Sequence, residues 1–307
     1  MQQPDSRIDL PRCLKQLTPS DKIIKNNWQA VPGSGKPKNV PLVSQKLRLE
    51  FAIDITTSTK WLTDVTVHSQ QYSDNLYHFD KRPDRIVSAL TRRGLTLNYV
   101  VEDLSFLGVE QIGQVAFPMI YFCDIVPEKN RLKPHMDQYG SYGIGLSKNW
   151  GRKNGVQPVH YILPTSPYAR DFSQAIIAAF SAINCLDTEP TKTLCDFLVT
   201  NLAFAKPLWG SNNGTNYCFE DECEWRFIPS DIATGMPRFL PEPKDEMLDN
   251  YRRTLWMSST YLLSFSYGDV SDIFVPEGEA SSLLKAINEL DATQEEKRAL
   301  KTKMREI

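Results

Sequence analysis

Three short stretches of the 307-residue chain carry side chains suited to work on a ligand. In LYHF, His78 stands between Tyr77 and Phe79, so on a strand its imidazole faces away from both rings. There it can donate a hydrogen bond to a ligand hydroxyl, or serve structure alone. In YGSYGIGLSKNWG, Gly140, Gly143 and Gly145 permit positive φ or close backbone approach. Tyr142, with Tyr139 near it, can stack on a flat ring, and Ser147 can bond a hydroxyl. Lys148, Arg152 and Lys153 then form a local cationic patch, fit for a phosphate or for a solvated surface. In FEDECEWRFIP, Glu220, Glu222 and Glu224 alternate. If all three lie on one strand they share a face and raise one another's pKa. In the alternative, Glu220 and Glu222 belong to the preceding loop, and only Glu224 enters the strand, paired with an arginine.

The elements that must hold these groups follow from periodicity. Residues 1–45 contain six prolines among many polar residues and read as an arm without long regular elements. Within it VPGSGKPKN fails as a phosphate loop, because Ala30 and Pro37 occupy the places of the required glycine and hydroxyl residue. Alternation in KLRLEFAIDI (46–55) predicts a half-buried strand and the start of a single α+β domain over 46–307. The next segment reads as a strand through His78, a turn, and a helix with Pro83 in its first turn and Gly94 as C-cap. MIYFCDIV and PVHYIL are apolar enough for central strands.

Two helices follow, one with Ile176, Ile177, Phe180 and Ile183 in register, the other with Leu194, Phe197, Leu198 and Leu202. Strands return at ECEWRFIP and SDIFVP. The chain closes on a helical pair, the second opened by a Thr293/Glu296 capping box and carrying Leu300, Met304 and Ile307. Without a regular βαβ rhythm, these elements predict an α+β fold with a mixed central sheet flanked by helices.

Composition narrows the function. A formal charge of −2 supplies no basic field for non-specific nucleic-acid binding, which leaves KNRLKPH and KNWGRK as a minor nucleic-acid reading. No apolar run is long enough to span a membrane, and the N-terminus lacks an export h-region, so a cytoplasmic protein with reduced thiols is expected. Cys218 and Cys223 lack a matching second pair for zinc, and no metal is expected.

The ordered motifs YGSYGIGLSKNWG, PVHYI, AKPLWG and DECEWRFIP resemble the bacterial AbiGi abortive-infection family over roughly residues 75–290. That resemblance implies phage defence and an antitoxin-like half of a two-protein system. Its partner would be a toxin or other defence protein, of nucleotidyltransferase type. A more distant likeness is to ADP-ribosyltransferases of the His-Tyr-Glu type, through His78, Tyr142 and Glu222 or Glu224 in that order. It implies NAD as substrate, with Glu224 stabilising an oxocarbenium-like cation, His78 holding a ribose hydroxyl and Tyr142 stacking on nicotinamide. Tyr139, Gly143, Gly145 and Ser147 would line the dinucleotide site, and Lys148 or Arg152 would meet the diphosphate. The competing expectation is a non-catalytic regulator that binds its toxin.

Overall fold

The computed structural model describes residues 72–109, 112–185, 188–212, 215–229, 236–258 and 260–307. The expected proline-rich arm and the strand expected at 46–55 lie outside these residues. In chain order the strands are β1 (Asn75–Asp80), β2 (Gly94–Thr96), β3 (Asn98–Asp103), β4 (Gln114–Cys123), β5 (Tyr142–Ser147), β6 (Gln157–Pro158), β7 (His160–Ile162) and β8 (Ala205–Pro207). They continue with β9 (Trp209–Asn212), β10 (Thr215–Cys218), β11 (Glu224–Phe227), β12 (Leu240–Pro241), β13 (Leu262–Ser264), β14 (Val270–Val275) and β15 (Met304–Glu306). The helices are α1 (Pro83–Arg92), α2 (Lys129–Tyr139), α3 (Lys148–Lys153), α4 (Pro167–Cys185), α5 (Glu189–Phe204), α6 (Asp245–Met257), α7 (Ala280–Glu289) and α8 (Gln294–Thr302).

Nine strands form the main sheet along the path β15-β14-β5-β1-β4-β11-β6, with β3 and β12 also paired to β4. The β14–β15 pair is parallel and the other pairs of this sheet are antiparallel, which gives the expected α+β fold with a mixed sheet. Strand alternation divides the side chains between two cores. One face sends Leu76, Ile144, Leu146 and Ile273 against Ile86 and Leu90 of α1, Leu283 and Ile287 of α7, and Leu300 of α8. The opposite face sends Tyr77, Phe79, Cys123 and Phe274 against Leu132 of α2, with Met136 and Tyr139 packed alongside. The sheet is therefore buried on both sides.

Several boundaries differ from the sequence reading. PVHYIL is not a central strand: it divides into β6, at the sheet edge, and β7, which pairs in parallel with β8 in a separate two-stranded ribbon. Arg93, not Gly94, is the left-handed cap of α1, at φ 51°. Its guanidinium lies 4.6 Å over the Tyr267 ring and donates to the Asp291 carbonyl, contacts that hold the strained residue in place. The capping box forms as expected and opens α8. Met304 belongs to β15, not to that helix. In α4 and α5 the buried stripe runs through Ile176, Phe180, Cys195, Leu198 and Leu202, while Ile177, Leu194 and Phe197 face outward.

Candidate functional site

Pairing register fixes which predicted residues share a surface. Glu224 pairs with Cys123, Cys123 with Tyr77, and Tyr77 with Gly145, so these four lie on one face of the sheet. His78 stands one residue from Tyr77 and Tyr142 three from Gly145, odd offsets that send both to the other face. The expected convergence of His78, Tyr142 and Glu224 on one wall does not occur.

His78 is tied to the backbone on its own face of the sheet. Its Nδ1 lies 2.9 Å from the Tyr121 carbonyl oxygen, which can only accept, so Nδ1 carries the proton. Burial lowers the pKa of the half-buried ring and favours the neutral form. Tyr142 donates its phenol proton to Glu279 and lines a groove beside α1 and α7.

The glycines are explained by packing. A Cβ on Gly143 would stand 2.6 Å from the Phe79 ring, and one on Gly145 would stand 2.8 Å from the Tyr77 ring. Their missing side chains make room for two core aromatics from the neighbouring strand, not for a flat ligand. Ser147 caps α3, its Oγ accepting from the Trp150 amide at 3.2 Å. Lys148 is buried and bound to Asp124 at 2.7 Å, beside the Trp225 ring, so it is not free to meet a diphosphate. Arg152 is exposed in the last turn of α3.

Glu222, Glu224 and Tyr139 do come together, in a cleft of about 670 Å³ over the second face. Cys223 takes a left-handed conformation at φ 44°, which turns the chain from a 3₁₀ segment (Phe219–Glu222) into β11. Glu222 therefore stands before the strand and Glu224 begins it, as in the loop alternative drawn from sequence. Strand period two places Arg226 on the same face as Glu224, with Nε 2.6 Å from Glu224 Oε1. Lys206 of β8 donates to both Glu222 and Glu224. Arg226, fully buried, also donates to the Ala203 carbonyl at 2.6 Å and reaches Glu102 Oε2 at 2.9 Å. At the other end the Tyr139 hydroxyl donates to Glu222 Oε1 at 3.0 Å. The result is a continuous buried chain from Tyr139 through Glu222, Lys206, Glu224 and Arg226 to Glu102.

Electrostatics within this chain are set by competition between burial and partners. Burial opposes the charge on Glu224, yet Arg226 and Lys206 outweigh it and hold its pKa down to about 2. Burial likewise opposes Lys206, but Glu224, Glu102 and Glu222 raise its pKa above the ordinary value. At Glu102 burial prevails over Arg226 and Lys206, so its pKa is raised. Burial and then Glu222 raise Tyr139, which stays a hydrogen-bond donor. His135 stacks on Tyr139 with ring centroids 5.8 Å apart, and burial lowers its pKa. Arg226 and Lys206 thus favour the anion at Glu224 near neutrality, which suits it to stabilising positive charge rather than to general-acid work. Among the described residues no group of three or more His, Cys, Asp and Glu is placed to hold a metal, and no helix is long and apolar enough to cross a membrane.

Lys206, Glu102 and His135 were not singled out from sequence. Lys206 lies within AKPLWG and Glu224 within DECEWRFIP, but their pairing across 18 residues depends on how β8 and β11 meet.

No solved structure matches this chain. The "Abortive phage resistance protein AbiGi" of Lactococcus lactis subsp. cremoris is 28% identical over 201 residues, which cover 58% of this chain and 80% of that protein. The sequence model of the family described as "Putative abortive phage resistance protein AbiGi, antitoxin" matches residues 94–276, a span that includes β3, β8, β11 and the ion chain they build, and the chain belongs to the AbiGi family.

Proposed function

We propose that this protein serves anti-phage defence as the antitoxin-type member of a two-protein abortive-infection system, and that it acts by binding a toxin rather than by consuming NAD. Membership of a family described as antitoxin supports the first part. The observation that carries the second is the separation of His78 and Tyr142 from Glu224 by the thickness of the sheet. Groups that must touch one substrate within a few ångströms cannot act from opposite faces. Arg226 and Lys206 hold Glu224 in place, and Lys148 is held by Asp124. A nucleotidyltransferase-type toxin is the partner proposed.

The test is co-expression with the protein encoded beside it, scoring growth and co-purification. Wild type is expected to restore growth and to co-purify with that protein. Tyr142→Phe is expected to do the same, since only a contact to Glu279 is lost. Release of nicotinamide from NAD by the purified pair, abolished in Tyr142→Phe, would overturn the proposal.

A further inference from the structure

The cleft holds an unbalanced set of charges. Glu102, Glu222 and Glu224 face it, against Lys206 inside and Arg226 behind it. Carboxylates accept hydrogen bonds and donate none, and the Tyr139 proton is already given to Glu222. A ligand group settling against these carboxylates must therefore bring donors. Aromatic walls add a second requirement: Tyr121 and Phe219 line the interior and Trp209, 52% exposed, stands at the mouth. The cleft already displays its preference internally, because the Lys206 ammonium lies between two carboxylates and 5.3 Å from the Phe219 ring centroid.

Resting on the antitoxin reading above, we infer that this cleft receives an arginine side chain of the partner protein, its guanidinium stacked on Trp209 and directed at Glu102. A guanidinium is planar, cationic and purely a donor, which matches acceptor-only carboxylates between rings. A phosphate brings only acceptors and negative charge, so nucleotides are disfavoured. The volume of about 670 Å³ admits a long side chain with its flanking backbone.

The probe is N-acetyl-arginine amide, titrated into the full chain while the Trp209 indole N–H is followed by NMR. Saturable shifts are expected, with ADP producing none. Trp209→Ala and Glu102→Gln are each expected to weaken the probe by about tenfold, as loss of a cation–π or charged contact implies. The same two variants should weaken capture of the neighbouring toxin. Absence of probe binding at millimolar concentration, equal binding by wild type and both variants, or preference for ADP would overturn the inference. If the toxin is captured equally by wild type, Trp209→Ala and Glu102→Gln, the inference falls and the antitoxin reading stands. If wild type captures no toxin, the antitoxin reading itself falls.

Discussion

Glu222 and Glu224 share a single ammonium, that of Lys206, although a left-handed residue separates them and only one of the two belongs to a strand. Two carboxylates brought this close in a nearly dry site repel unless a cation stands between them. Lys206 is that cation, and its removal is the sharpest test of the site. Lys206→Met is expected to lower unfolding stability by about 3–5 kcal/mol, the range for breaking a buried ion pair from one side. Adding Glu222→Gln should recover part of the loss, because the repulsion then disappears. Urea unfolding of the two variants measures both effects, and purely additive losses would contradict the shared-cation geometry.

Stability should depend on pH through the histidines, Glu224 and Glu102. The folded-state pKa values of His78 and His135 are lowered from 6.5, so the stability they contribute is complete above about 6.5 and is lost as pH falls through their folded values. Glu224 is lowered to about 2, so its contribution is complete above 4.5 and lost between 4.5 and about 2. Glu102 runs the other way: its raised pKa favours the fold below 4.5, and that term is lost as pH rises through its folded value. Denaturant midpoints followed downward from pH 7.5 are expected to fall first through the histidine window. His78→Asn should make that upper part shallower, His135 supplying the remainder, while leaving the acid limb unchanged.

The architecture was legible where a local pattern decided it. Alternation in LYHFD, the Pro83 entry to α1 and the Thr293/Glu296 box each specify structure within one turn or one strand. The two readings offered for Glu220, Glu222 and Glu224 differed by where β11 begins, and that depended on the left-handed Cys223, a conformation that sequence does not announce in a non-glycine residue. PVHYIL misled because apolar content says that a strand is buried, not which sheet it joins. The site was half legible for a similar reason. Glu224 and Arg226 advertise their pairing by a spacing of two, whereas Lys206 and Glu102 arrive from distant strands. Glycine density in YGSYGIG signalled close approach correctly, but the approaching groups are the protein's own Tyr77 and Phe79.

That close approach yields a packing prediction. Gly143→Ala would place a methyl 2.6 Å from the Phe79 ring, which is wedged against Phe274 with centroids 5.7 Å apart and has little room to retreat. A loss of about 1–3 kcal/mol is expected from overpacking. Gly143→Ala combined with Phe79→Leu should lose less than the sum of the separate substitutions, since the smaller side chain vacates the position the methyl needs. Thermal unfolding of the set reads this directly. Equal losses with and without the ring would place the clash elsewhere.

Ser147 separates a structural role from a ligand-binding one. As N-cap of α3 it satisfies the Trp150 amide, and the same short helix buries Lys148 against Asp124 and Trp150 against the core. Ser147→Ala is expected to cost about 1 kcal/mol of stability, the usual loss for such a cap, and Ser147→Asp to retain most of it because a carboxylate oxygen can accept the same amide proton. Neither substitution touches the cleft, whose lining does not include Ser147. The arginine probe should therefore bind both variants as it binds wild type, whereas a residue contacting the ligand would change affinity in both. Pairing denaturation with the NMR titration on the same samples distinguishes the two roles, since a cap moves only the first measurement.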